Sequence, residues 1–428
     1  MREMKDSGNQ WIGIIPCDWS IDRFKYCTIL YTGNSIKDEH KNDYEDAFFA
    51  KPYISSKDIN RLFSTINYEN GLYIKNNDYS FRVARKNDIL MCIEGGSAGK
   101  KKALLNQDVC FVNKLCCFHS NYKVEHKFLF YYLCNPAYED EFNYNITGMI
   151  GGVSVSRLSN LNIVYPKIDE QKRIAAYLDE QCRKIDEIIA DIQNQIDTLE
   201  DYKKSVISEA VTRGLDPNTK ITKSRIFYMA PYNKEWALTK IGYCCKKLWR
   251  AFAPEDTALI CTNKGKVSVR PEEMTGKMVS EDNAMQGIKK GDIAIHGMDT
   301  WHGSVAYSDY DGKITRVVHV CDSTEDKRFV VYYLQQLAFN GVYKLISNGI
   351  RGNTSDFRSW DKVADIYIAL PKVDEQHRIS DYLDKKCAQI ESIIEDKKAQ
   401  LETIENYKKS LIYEYVTGKK EVVPSETN

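Results

Sequence analysis

Two stretches of this chain repeat their apolar residues in steps of three and four over long distances. One runs from Leu178 through Ile185, Ile188, Ile189, Ile192, Ile196, Leu199, Tyr202 and Val206 to Ala210; the other runs from Leu383 through Ile390, Ile393, Ile394, Leu401, Ile404 and Tyr407 to Leu411. That spacing lays one apolar stripe along an α-helix. Each stripe predicts a helix of about 40 residues, roughly 60 Å at 1.5 Å per residue. Asp169 and Asp374 follow a proline-containing approach and precede Glu-Gln, so acids sit where the helix dipole is positive and the helices begin there. The first ends near Arg213-Gly214, ahead of a Pro/Asn turn. Elsewhere the pattern changes to short β-prone runs (FVNKLCCF, GDIAIHG, RVVHVC) broken by Gly, Asn and Asp, with shorter helices at Lys127–Cys134 and Lys327–Phe339. The fold class is therefore α/β in the mixed α+β sense.

The pattern is written twice. Pro166–Thr212 aligns with Pro371–Thr417 without a gap at an offset of 205 residues, and about half of the positions are identical. Fainter echoes keep the same order: Trp19 and Trp236, KNDILM at Lys86 and KGDIAI at Lys290, FLFYYL at Phe128 and FVVYYL at Phe329. Five segments follow: a globule at 1–165, a long helix at 166–214, a second globule at 215–370, a second long helix at 371–420, and a disordered tail at 421–428. A seam spaced like a heptad over this length calls for a partner helix, and the twin supplies it, giving two antiparallel coiled-coil helices with a pseudo-twofold internal repeat. The seam residues are Leu178, Ile185, Ile189, Ile192, Ile196 and Leu199 against Leu383, Ile390, Ile394, Leu401, Ile404 and Leu411. Two related but unlike globules held apart by such a spacer suit a ligand with two separated, unlike features. Duplex DNA is the leading candidate, because the spacer exceeds one helical turn of about 34 Å.

Charge neither announces nor excludes a polyanion, since 60 basic residues balance 60 acidic ones. Their distribution is more informative. Lys167–Arg213 holds 8 basic and 11 acidic residues and Lys372–Thr417 holds 8 and 10, which leaves the rest of the chain at net +5. Thirteen cysteines, an odd number with no secretory signal, read as reduced thiols in a cytoplasmic protein. Cys182 and Cys387 read as helix-core residues. Cys116, Cys117, His119 and His126 make the nearest approach to a metal cluster, but they fall in a strand-like apolar run, and no metal is expected. No apolar run approaches the roughly 18 residues that a membrane span needs.

The order SGNQWIGIIPCDW near the start, a GDI-like strand followed by GSAGK, an aromatic helix, and PKIDEQKRIAAYLD…YKKSVISEAVTRGLDP resembles the specificity subunits of type I restriction-modification enzymes. The resemblance covers almost the whole chain, including the half-repeat plan. It departs at Ser224, where SRIFYMAPYNKEW stands in place of a second SG-x-x-W-x-G-x-I-P-x-x-W. The resemblance implies that each globule is a target-recognition domain reading one half of a bipartite target. It implies that the helices dock two methyltransferase subunits and that nuclease/translocase subunits join. S-adenosylmethionine, ATP and Mg²⁺ would bind only in those partners, and the chain itself would hold no cofactor and catalyse nothing.

Gly95-Gly96-Ser97-Ala98-Gly99-Lys100-Lys101-Lys102 invites a P-loop reading and fails it, having three residues between Gly95 and Gly99 and lysine after Lys100. A tight turn offering amides, the Ser97 hydroxyl and Lys100, Lys101 and Lys102 to phosphates remains. The resemblance favours it as a DNA-contacting loop. Its counterpart, Gly297–Ser304, brings Trp301 and His302. Arg351 and Asn353 precede the second long helix, and arginine can fork onto guanine. Arg82, Arg85, Lys264 and Lys266 complete the candidate DNA contacts. Asn135-Pro136-Ala137-Tyr138 falls one residue short of the loop by which adenine methyltransferases hold their target, and no glycine-rich cofactor motif accompanies it. The competing readings are a specificity partner of another restriction system, a fused methyltransferase, and a coiled-coil scaffold that binds protein rather than DNA.

Overall fold

The periodic stripes become continuous helices at Ile168–Arg213 and Val373–Val416, each with two acids in its first turn. The computed structural model describes residues 2–37, 39, 44–148, 151–271, 284–347 and 357–422. Chain contacts divide it into two units, 1–193 with 399–428 and 194–398, so each long helix contributes to both.

In the first unit the helices run antiparallel: the Tyr177 and Tyr415 rings are 4.6 Å apart, and Lys408 pairs with Asp186 at 2.6 Å. Leu178, Cys182, Ile185, Ile189 and Leu411 are buried in its core, with Leu401 and Ile404 packed against it; Ile192 is buried as well. The second unit repeats the arrangement. Lys203 meets Glu391 at 2.5 Å, while Ile207 and Ala210 near the end of the first helix share a core with Ile379 and Leu383 near the start of the second. Ile196, Ile390, Ile394 and Cys387 are buried and Leu199 half-buried.

Each globule is built on a four-stranded antiparallel sheet. In the first unit the order is Thr28–Thr32, Leu115–Ser120, Ile89–Cys92, Lys102–Leu104. In the second it is Cys245–Lys247, Val318–Ser323, Ile293–His296, Val305–Tyr307. Strand alternation explains why these strands are apolar on both faces: Cys116 and Phe118 enter the core shared with the helices, whereas Leu115 and Cys117 enter a second, smaller core. The four residues closest to a metal cluster do not converge: the Cys116 and Cys117 side chains lie on opposite faces, and Cys117 and His119 both bond the Asp88 carboxylate, at 3.4 and 2.6 Å.

The repeat also explains its own best-kept residues. Gln171, fully buried, donates to the Pro166 and Lys123 carbonyls and accepts the Glu125 amide; Gln376 donates to the Pro371 carbonyl and Glu325 and accepts the Asp326 amide. Glu125 and Asp326 in turn cap the helices His126–Cys134 and Lys327–Phe339. One glutamine thus locks the start of each long helix to the start of the globule's own helix. The divergent segment from Ser224 keeps its shape as well. Ile221 pairs with Asn233 as Met4 pairs with Pro16, at the same 217-residue offset as Trp19 and Trp236, so the hairpin survives its sequence change.

Candidate nucleic-acid interface

The hairpin between Ile89–Cys92 and Lys102–Leu104 closes through the GSAGK turn. Gly95 and Gly99 take φ of +78° and +71°, a region that costs other residues strain. At Gly99 a Cβ would also stand 2.6 Å from the Phe142 ring. Five of the amides expected to face phosphate are engaged within the protein: Gly95 donates to the Gly151 carbonyl, Ala98 to Gly95, Gly99 to Cys92, and Lys100 and Lys101 to Ser97.

Its lysines are not equivalent, which corrects the expectation of three outward cations. Lys102 is 3% exposed, and its ammonium donates to the Leu133 carbonyl at 2.6 Å and to Glu139 at 2.8 Å. It occupies an inward strand position and is a core residue. Lys101 donates to the Ser56 carbonyl at 2.7 Å. Lys100 alone of the three is exposed, and Ser97 is half-buried. Lys100 stands at the rim of a cleft of about 950 Å³ between this globule and the helices of its unit, where Arg61, Asp179, Arg183, Asp186 and Lys408 also converge. Arg82 and Arg85 are exposed at the ends of the short strand Val83–Ala84, with the Arg82 guanidinium on the Thr32 carbonyl at 3.1 Å.

In the second unit the equivalent loop leaves the sheet after His296. The His296 ring accepts the Asp299 amide at 3.1 Å, and burial pushes its pKa below the usual 6.5 against the pull of Asp299. Gly297 packs so closely on the Phe357 carbonyl that a Cβ would lie 2.7 Å away. Trp301 is half-buried with Lys344 5.9 Å from its ring, whereas His302 is exposed. Exposed Arg358, which the sequence reading missed, reaches this loop at Met298. Lys264 is exposed on the turn between Leu259–Cys261 and Val267–Val269. Lys266 pairs with Glu391 of the second long helix at 2.7 Å, so its charge is engaged on the scaffold. Arg351 and Asn353 lie outside the described residues, as does the tail from 423 onward.

The Asn135 side chain accepts the Tyr138 amide and caps the helix Pro136–Tyr144. Both residues are buried, so this near-motif is a helix start inside the core. Among the described residues no helix is long and apolar enough to cross a membrane.

Residues 27–198 match the Type I restriction modification DNA specificity domain. The type I restriction enzyme MjaVIII specificity subunit of Methanocaldococcus jannaschii is 26% identical over 165 residues, 37% of this chain and 35% of that protein. The chain thus spans about a third of the length of this curated relative, 35%. A solved structure described as the structural basis of complex assembly and conformational transition of the type I R-M system is similar in fold, with a TM-score of 0.63 at 15% identity over 95% of this chain and 99% of that one. The HsdS subunit from Thermoanaerobacter tengcongensis gives a TM-score of 0.41 at 16% identity over 95% of this chain and 98% of the other.

Proposed function

We propose that this chain, which carries a type I restriction modification DNA specificity domain at residues 27–198, is the DNA-reading subunit of a type I restriction-modification enzyme. Each globule reads one half of an asymmetric two-part duplex target, and the long helices set the separation. The observation that carries this reading is a duplicated scaffold whose two globules have diverged, down to the loops they expose. Both units keep the same sheet, the same glutamine lock and the same antiparallel helix pair, yet one presents Lys100 and Ser97 where the other presents Trp301 and His302. A duplicated scaffold with unlike loops suits two unlike half-sites.

The same reading gives the chain two methyltransferase partners. Exposed apolar side chains on the helices recur at the repeat offset: Ile168, Ile188 and Tyr407 on the first unit match Val373, Ile393 and Tyr202 on the second. Apolar groups left on an otherwise charged helix surface favour protein contact. A matching set on each unit favours two copies of one partner. The partners bind S-adenosylmethionine and methylate adenine N6; nuclease/translocase subunits, with ATP and Mg²⁺, cut unmodified DNA. This chain contributes recognition and no catalysis, and the assembly works in the cytoplasm.

The test is sequencing for N6-methyladenine in a host lacking such a system, expressing the chain with its methyltransferase or the methyltransferase alone. A two-part asymmetric motif that appears only with both supports the proposal. Co-purification of a competent methyltransferase without any motif overturns it and favours a protein-binding scaffold.

A further inference from the structure

Of the six tryptophans, Trp249 alone is exposed, at 66%; Trp19 and Trp236 are core residues, and Trp11, Trp301 and Trp360 are at least half-buried. Tryptophan is usually well buried, because its large apolar surface gains most from leaving water. Trp249 is nonetheless held in place. The Lys247 ammonium sits 4.6 Å from the centre of its ring. Residues two apart on a strand project from one face, which is how the pair forms.

The position of this pair on the sheet suggests its use. Cys245–Lys247 is an outer strand whose register sets Lys247 opposite Cys321, and the Leu248 amide extends the ladder to Val320. Trp249 therefore continues to the level of His319, which pairs with Ile295 on the next strand. Two residues further, Gly297 bonds the Val317 carbonyl and the loop to Ser304 begins. Lys247 and Trp249 thus stand at the same end of the sheet as exposed His302 and Arg358. An indole face beside cationic groups is the chemistry that packs on a deoxyribose or thymine methyl while neutralising phosphate.

We infer that Trp249, oriented by Lys247, is a DNA-contacting residue of the second globule, its indole packed against the duplex and the lysine against the adjacent phosphate. This rests on the DNA-reading function above. It assigns the outer strand, and not only the loop after His296, to the reading surface of that globule.

The test uses the full chain assembled with its methyltransferase on a duplex bearing the methylated motif. Trp249→Ala is expected to weaken binding about tenfold, the scale of one lost contact in such an interface. Trp249→Phe, which keeps an aromatic face, should stay within roughly threefold of wild type, and Lys247→Gln should make the salt dependence shallower by about one unit. Unchanged melting in all three separates contact from folding. Wild-type affinity and salt slope in both Trp249→Ala and Lys247→Gln overturn the assignment alone. A wild-type assembly with no preference for any two-part duplex overturns the DNA-reading function, and the assignment with it.

Discussion

The Tyr131 hydroxyl donates to the Asp179 carboxylate at 2.8 Å, and Tyr332 repeats the bond to Asp384 at 2.8 Å in the other unit. Lys127 and Arg328 add cations to the same two carboxylates at 2.5 and 2.6 Å. Each globule is thus pinned to a long helix by a tyrosine and a cation on one face of its own helix. Tyr131→Phe and Tyr332→Phe are each expected to cost about 1 kcal/mol in denaturant unfolding, since a hydrogen bond to a partly solvated charge is worth that order. Their effects should add, because they share no partner. Wild-type stability in either variant would contradict the pinning.

The lysines of the GSAGK turn separate fold from function. Removing Lys102 leaves the Leu133 carbonyl and Glu139 without their donor, so Lys102→Met should destabilise the protein by about 1–3 kcal/mol. Lys100→Gln should leave the melting temperature unchanged and make DNA binding by the assembled enzyme less salt-dependent by about one unit. Paired melting and binding measurements check both, and a reversed pattern would contradict the burial seen here.

Gly99 carries a geometric prediction. Gly99→Ala combines a left-handed backbone with a contact 2.6 Å from Phe142. The expected cost is about 1–3 kcal/mol, read as a lowered unfolding midpoint at unchanged slope. Gly96, whose Cβ would meet nothing, provides the neutral control.

Histidines give the second unit a pH dependence. Burial lowers the pKa of His296 and His319 below the ordinary 6.5, with Lys247 adding to the effect at His319 and Asp299 opposing it at His296. The His319 Nδ1 is buried without a hydrogen-bond partner among the described residues, so a proton there would be unsatisfied. The unfolded chain therefore takes up protons first. Their stabilising contribution is complete above pH 6.5 and is lost as the pH falls through the lowered folded values. Hydrogen exchange should show the sheet around Val318–Ser323 opening more readily at about pH 5.5 than at about pH 7.5. His319→Gln should flatten that difference, and equal protection at both pH values would contradict the assignment.

Period and repetition made the scaffold legible. The end of the first long helix at Arg213 and the Lys327–Phe339 helix stand where apolar spacing and turn residues set them. Periodicity names the buried face of a helix but not what covers it. The division of both long helices between units, at 193 and 398, was therefore not readable from the stripe. Nor was the fate of Lys102, because a run of three lysines looks solvated until strand alternation turns one inward. Trp249 escaped notice for a related reason: a lone tryptophan is ordinarily core, and here the chain leaves it outside at the sheet edge.

The central claim is that each globule independently reads one half of a two-part target. Its most direct test is to replace residues 1–165 with the corresponding globule of a relative of different specificity and to map N6-methyladenine by sequencing in the presence of the methyltransferase. The account predicts a new motif in which one half changes while the other half and the spacing persist. A motif changed in both halves, or in neither while methylation continues, would contradict it.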